Sequence, residues 1–192
     1  MNRLHHWLCR SGRWRKIVAQ RVSKALSGVA LGHNVLELGP GPGRTTELIG
    51  PKVHRLTALE LDSDSAKALR SRWHGSNVEI VTGDATAMPF SDEQFSAVVS
   101  FTMLHHVPSR ALQDKLLREV VRVLEPGGIF AGSDSTQRLF MRLIHIGDTL
   151  VPIDPDTFGG RLEAAGLQVV RLAKDSHAIF FHARRPLASS QA

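Results

Sequence analysis

Cysteine is almost absent from this 192-residue chain: Cys9 stands alone. A single thiol excludes a disulfide framework and any zinc site built from cysteines, and it suits a reducing cytoplasmic setting. Long apolar runs are missing too. The longest extend over only a few residues, against about 20 for a membrane-crossing helix. The N-terminus is basic but lacks the apolar stretch of about 7–15 residues that marks a signal peptide. No internal repeat or low-complexity tract occurs, apart from a short polar tail at 187–192. Acidic residues are absent from 1–24, where seven basic side chains give a local charge of +7 within a net +6. The rest of the chain is closer to balance. A basic arm of this kind suits nucleic acid, anionic lipid or an acidic substrate, or simply a solvated helix face. The expectation is a soluble cytoplasmic protein without a transmembrane segment. Its length predicts one domain with a short extension.

From residue 31 onward, short apolar runs alternate with amphipathic stretches, the pattern of repeated βα units. Strands are predicted at 34–38, 55–60, 78–81, 97–100, 129–132, 167–172 and 178–183. Helices are predicted at 45–49, 63–73, 112–124, 137–146 and 156–165. Ser63 is a plausible N-cap and Gly166 a good helix stop. No crossover helix fits between the last two strands, so they should pair antiparallel. The arm itself reads as helical, with Leu4, Trp7, Leu8, Trp14, Ile17, Val18 and Val22 at helical spacing between basic residues.

The strongest chemical signal is Glu37-Leu38-Gly39-Pro40-Gly41-Pro42-Gly43, directly after a strand and before a helix. Alternate glycines let the backbone turn sharply and approach a ligand, and the next helix presents free N–H groups. Glu60 lies at the end of the second strand, 21 residues beyond Gly39. A carboxylate there can accept both ribose hydroxyls of a nucleoside. A dinucleotide fingerprint would need its last glycine at position 44, which is Arg44 here. Glu37 also suits the ammonium of an amino-acid-bearing nucleoside better than a pyrophosphate.

On these residues the sequence resembles class I S-adenosylmethionine-dependent methyltransferases, small-molecule branch, of the ubiquinone/menaquinone-biosynthesis type. Further motifs carry the resemblance: Glu60-Leu61, Gly83-Asp84-Ala85, Ser100 to His106, and Arg122-Val123-Leu124-Glu125-Pro126-Gly127-Gly128. The resemblance spans residues 31–186. It implies a Rossmann-like, doubly wound α/β fold with seven strands, mostly parallel with the last antiparallel and helices on both faces. It also implies S-adenosyl-L-methionine as cofactor, held by Glu37, Gly39, Pro40, Gly41, Gly43, Glu60, Leu61, Asp84, Ala85 and Ser100. One departure stands out. The family commonly has Asp after the Phe that precedes strand four, whereas Phe95 is followed by Ser96, which puts a local turn contact in doubt.

Each candidate has a plainer reading. Asp84 can cap the turn at Ala85-Thr86 instead of meeting adenine. Arg44 can touch the cofactor carboxylate or sit at a solvated helix start. His105 and His106 are weak candidates for a general base, since histidine titrates near neutrality, and they equally suit packing of a helix start. His145 reads as a packed histidine. No metal site is expected. A sulfonium donor is already activated, so alignment and exclusion of water can suffice without a conspicuous catalytic set. The expected function is transfer of a methyl group to O, N or C of a small molecule by in-line displacement, with residues 1–30 covering the site. The alternatives are an RNA methyltransferase using the arm, where Trp7 and Trp14 could stack on bases, and a non-catalytic cofactor-binding protein. Peripheral membrane contact through the arm is a further option.

Overall fold

The structure, a computed structural model, describes residues 12–136 and 150–187, with side chains described from Arg15 onward. The order of elements is α1 (Gly12–Ala25), β1 (Asn34–Leu38), α2 (Arg44–Ile49), β2 (Arg55–Glu60), α3 (Ser63–Trp73), β3 (Val78–Thr82), β4 (Phe95–Phe101), α4 (Arg110–Val123), β5 (Leu124–Ser135), α5 (Pro155–Ala164), β6 (Gln168–Lys174) and β7 (Ala178–Arg184). The helix predicted at 137–146, His145 within it, and Leu4, Trp7, Leu8 and Cys9 lie outside the described residues.

The strands form one seven-stranded sheet in the order β3-β2-β1-β4-β5-β7-β6. Strands β1 to β5 pair in parallel, and β7 runs against both β5 and β6. This is the expected doubly wound architecture. The chain starts at β1, steps outward to β3, then crosses back to β4. The connections after β1 and β4 therefore leave the sheet in opposite directions, which opens a crevice beyond their carboxyl ends.

Strands β1 and β4 are covered on both faces, which is why they read as continuous apolar runs. Alternate side chains feed two cores. On one face Leu36, Leu38, Val98, Phe130 and Phe181 pack with Leu116, Leu117 and Val120 of α4 and Phe158 and Leu162 of α5. On the other, Val35, Ala97, Val99, Ala131 and Phe180 pack with Ile49, Ala66 and Leu69 of α2 and α3, and with Val18, Val22 and Ala25 of α1. The described half of the basic arm is thus a layer of the domain. Burying Val18 and Val22 contributes roughly 3–6 kcal/mol together, so the described part of the arm is held in the domain by its apolar face. Arg171 secures the end of α1 by donating to the carbonyls of Lys24 and Ala25.

Three local expectations shift. Asp62, not Ser63, caps α3, its carboxylate accepting the Ser65 N–H at 2.8 Å. Asp154 caps α5 with Pro155 at the first helical position, where proline's missing N–H costs nothing. The fifth strand, predicted at 129–132, runs to Ser135 because β7 pairs along it from Ile129↔Arg184 to Ser135↔Ala178. Ser96, the departure from the family pattern, makes its own tie. Its hydroxyl accepts the Asn34 N–H at 3.0 Å and lies 2.9 Å from the carbonyls of Leu31 and Asn34.

Candidate cofactor and acceptor site

At the end of β1 the chain turns through Gly39 and Gly41, both at positive φ (62° and 53°). That region favours glycine because L side chains clash there. A Cβ on Gly39 would collide with the Met103 side chain, whereas one on Gly41 meets nothing within 4 Å. The turn is therefore closed on the side of the β4 connection and open above Gly41. The Pro40 carbonyl accepts the Gly43 N–H at 2.9 Å, which fixes the approach to α2.

Glu60 ends β2 beside this turn. Its Oε2 accepts the Gly41 N–H and its Oε1 the Asp62 N–H, both at 3.0 Å. Two backbone donors thus orient the carboxylate, and each oxygen keeps acceptor capacity for a ligand hydroxyl. Leu61, next in the chain, is 71% exposed, an apolar surface at the strand end. Asp84 follows β3 and is exposed. Its Oδ1 accepts the Thr86 N–H at 2.7 Å, so it does cap the turn at Ala85, and its second oxygen carries any ligand role. Arg44 pairs with Glu47, which also holds Arg72 and lies 3.8 Å from Arg15.

Glu37 is buried at the end of β1 and accepts the Thr46 hydroxyl at 2.7 Å. Burial pushes its carboxyl up to about 7, against the Thr46 hydrogen bond and with a further push from Glu60. A carboxyl held near neutrality in an apolar pocket gains by meeting a cation. Ser100 lies opposite Leu38 in the register. Its hydroxyl is buried with no hydrogen-bond partner among the described residues, as are Ser133 Oγ and Asp134 Oδ2 at the neighbouring end of β5. Unsatisfied buried polar atoms cost about 1–3 kcal/mol each. Ser100 Oγ and Asp134 Oδ2 lie at adjacent strand ends, whereas Ser133, next to Asp134 in the strand, points to the opposite face.

Between these groups lies the 3-10 turn Leu104–His106. It follows Thr102, a β-branched residue at φ 54° whose N–H is tied to the Ser133 carbonyl at 2.8 Å. Strain of this kind costs about 1–3 kcal/mol and concentrates at functional sites. His105 is buried, and its Nδ1 lies 2.6 Å from Asp134 Oδ1, which also accepts the Ser135 N–H at 2.6 Å. Burial pushes the Asp134 carboxyl up, but His105 and these hydrogen bonds together hold it below the usual carboxylate range. The Asp134 carboxylate can only accept, so Nδ1–H is the donor. His106 packs its ring at 4.2 Å from that of His105. The two histidines suggested by sequence are therefore unequal. Asp134 had no sequence signal beyond an acid near the end of an apolar run.

Glu37, the Gly39–Gly43 turn, Glu60 with Leu61, and Ser100 thus stand at the carboxyl ends of β1, β2 and β4, with Asp84 and Ala85 following the end of β3. A pinned carboxylate, an apolar Leu61 surface, open space over Gly41 and a buried acid suit a nucleoside carrying a cationic amino acid. That is the character of S-adenosylmethionine. Comparison with known proteins agrees. A family profile described as a methyltransferase domain matches residues 36–132. A fatty-acid O-methyltransferase of Mycolicibacterium smegmatis is 37% identical over 109 residues, 56% of this chain and 39% of that protein. A demethylmenaquinone methyltransferase of Renibacterium salmoninarum is 32% identical over 116 residues, 60% of this chain and 45% of that protein. The match thus spans less than half the length of these curated relatives. Among solved structures, a chain of the Haloferax volcanii complex between the Trm112 methyltransferase activator and a methyltransferase has a TM-score of 0.77 at 16% identity. It covers 97% of this chain and 99% of that one. The chain belongs to the class I S-adenosylmethionine-dependent methyltransferase family.

Proposed function

We propose that this chain transfers a methyl group from S-adenosylmethionine to O, N or C of a small molecule by in-line displacement. The observation that carries the reading is Glu60, whose two oxygens are held by backbone N–H groups beside the open Gly41 turn. Glu60 receives the ribose hydroxyls, Leu61 and Ala85 flank the adenine with Asp84 at its edge, and Glu37 faces the amino-acid end. When bound, the cofactor supplies a methyl group already activated by positive sulfur. The protein's part is to orient the acceptor on the methyl–sulfur axis and keep water out. The relatives' names, covering fatty-acid and demethylmenaquinone substrates, support a small and largely apolar acceptor.

Two cations of the arm, Arg21 and Lys24, are engaged within the fold, which weakens the RNA reading. Arg21 donates to Ser135 Oγ and the His177 carbonyl, and Lys24 pairs with Asp175 at 2.8 Å. Among the described residues no helix is long and apolar enough to cross a membrane. Calorimetry tests the reading. S-adenosylmethionine and S-adenosylhomocysteine should bind in the micromolar range and nicotinamide dinucleotides should not. Dinucleotide binding without a response to S-adenosylhomocysteine overturns it.

A further inference from the structure

We propose that the ion pair Glu119–Arg122 on α4 positions the adenine side of the cofactor crevice, and that through it the enzyme selects adenine over other purines. The inference rests on the methyltransferase reading and on adenine lying beside Asp84 and Ala85. Between β3 and β4 the chain runs through residues 83–94 without helix or strand. Asp84 and Ala85 stand at the start of this stretch. Irregular backbone has no ladder to hold it, so its geometry depends on other ties.

Arg122 supplies most of those ties, and all five of its N–H donors are engaged. Its Nε donates to Glu119 Oε1 at 2.8 Å, and its Nη1 to the Phe90 carbonyl at 2.7 Å and Asp92 Oδ1 at 2.8 Å. Its Nη2 donates to the Met88 carbonyl at 3.0 Å and Glu119 Oε2 at 2.7 Å. Glu119 Oε2 in turn accepts the Met88 N–H at 2.7 Å. Both backbone groups of Met88 are thus held by α4, and the two carbonyls that Arg122 grips flank Pro89. The Arg122 hydrogen bonds keep the Glu119 carboxyl below the usual carboxylate range, so the pair is charged at neutral pH.

The grip reaches the ligand side through Pro89. A Cβ on Gly83 would lie 3.2 Å from Pro89 Cδ and 2.9 Å from Leu59 Cδ1. The proline ring therefore stands over the backbone immediately before Asp84, beside the residue that precedes Glu60. The Gly83 N–H donates to the Glu60 carbonyl, and the Ala87 N–H to the Asp84 carbonyl, both at 3.0 Å. On the far side, Met88 is buried and Phe90 packs edge-on to Phe95 at 5.1 Å. Releasing Met88 and Phe90 from Arg122 therefore frees Pro89, and with it the turn that carries Asp84.

A tie that merely held the fold together would leave the choice of base untouched. Adenine presents an amino donor where hypoxanthine presents a carbonyl acceptor. A carboxylate accepts only, so Asp84 favours the first and opposes the second. Such discrimination requires the carboxylate to be held in place against the base. Lysine cannot replace Arg122 in this work, because it offers three donors at one point instead of a planar fork.

The test compares S-adenosylhomocysteine with S-inosylhomocysteine, in which a carbonyl replaces the adenine amino group, by titration calorimetry on the full chain. The parent should prefer the adenosyl compound by about tenfold or more. Arg122→Lys should weaken S-adenosylhomocysteine about tenfold and shrink the preference to about threefold or less. Glu119→Gln leaves one oxygen for the three donors that now share two, and should move both quantities in the same direction. Arg118→Gln, at an exposed position of the same helix, should change neither. The ratio of the two affinities is the deciding readout, since loss of folded protein lowers binding of both compounds alike. Circular dichroism checks that each variant folds; if Arg122→Lys does not, the Glu119→Gln ratio decides. Hydrogen exchange of the Met88 amide, which needs no ligand, should quicken in Glu119→Gln. An unchanged ratio in the folded variants, unchanged Met88 exchange, or equal binding of the two compounds by the parent overturns the proposal. Failure of the parent to bind either compound overturns the underlying methyltransferase reading instead.

Discussion

Replacing Glu37 with Gln should make the ligand-free protein less sensitive to pH while weakening its hold on the cofactor. Burial raises the Glu37 carboxyl from 4.5 to about 7 in the fold, so the folded chain holds this proton more tightly than the unfolded chain. The resulting stability is fully present below pH 4.5 and is lost as pH rises through 7. At about 1.36 kcal/mol per pH unit the interval is worth on the order of 3 kcal/mol, most of it falling between pH 5 and 8. Glu37→Gln keeps an oxygen for the Thr46 hydroxyl and cannot ionise. All other titrating groups are common to both proteins, so the difference between their denaturant-unfolding free energies isolates this carboxyl. That difference should move by roughly 2–3 kcal/mol in favour of Gln between pH 5 and 8. The same substitution should weaken S-adenosylmethionine about tenfold or more through loss of a charged partner. Calorimetry of the parent in buffers of different ionisation enthalpy should show proton release on binding near pH 7, since the cofactor's cationic end favours the ionised carboxyl. Parallel unfolding curves for the two proteins across this range would refute the assignment of Glu37 as a strained, ligand-awaiting acid.

Glu60→Ala should weaken S-adenosylhomocysteine more than tenfold, whereas Asp62→Ala and Asp64→Ala should change it little, because only Glu60 is oriented into the turn; titration calorimetry compares the three. Asp62→Ala should instead cost about 1 kcal/mol of stability, as loss of the α3 cap, measured by denaturant unfolding. Gly39→Ala should lower both the melting temperature and cofactor affinity, since the new methyl collides with Met103 and the φ of 62° disfavours it; unchanged affinity would show that the turn lies away from the ligand. Deleting residues 1–24 should remove roughly 3–6 kcal/mol of burial from Val18 and Val22, a large share of the 5–15 kcal/mol available to a typical domain. Circular dichroism should then show a chain that melts far below the parent or fails to fold.

The local patterns of this chain are legible because neighbours in sequence decide them. Apolar runs read at 34–38, 55–60 and 97–100 become central strands, since a strand covered on both faces is largely apolar along its length. The glycine turn and the acid 21 residues later announce a nucleoside crevice, because the spacing of a βαβ unit fixes where the second strand ends. Other features depend on pairings between distant segments. The extension of β5 to Ser135 comes from β7, nearly fifty residues later, and it is this pairing that carries Asp134 to His105. Nothing in the run Gly132-Ser133-Asp134-Ser135 distinguishes a buried, charge-paired aspartate from a solvated one, and nothing in His105-His106 says which ring meets it. The basic helix misleads for the same reason. Its charges are visible in sequence, but the apolar face of Val18, Val22 and Ala25 finds its partners on β5, β7 and α2, a choice made by the packed sheet alone.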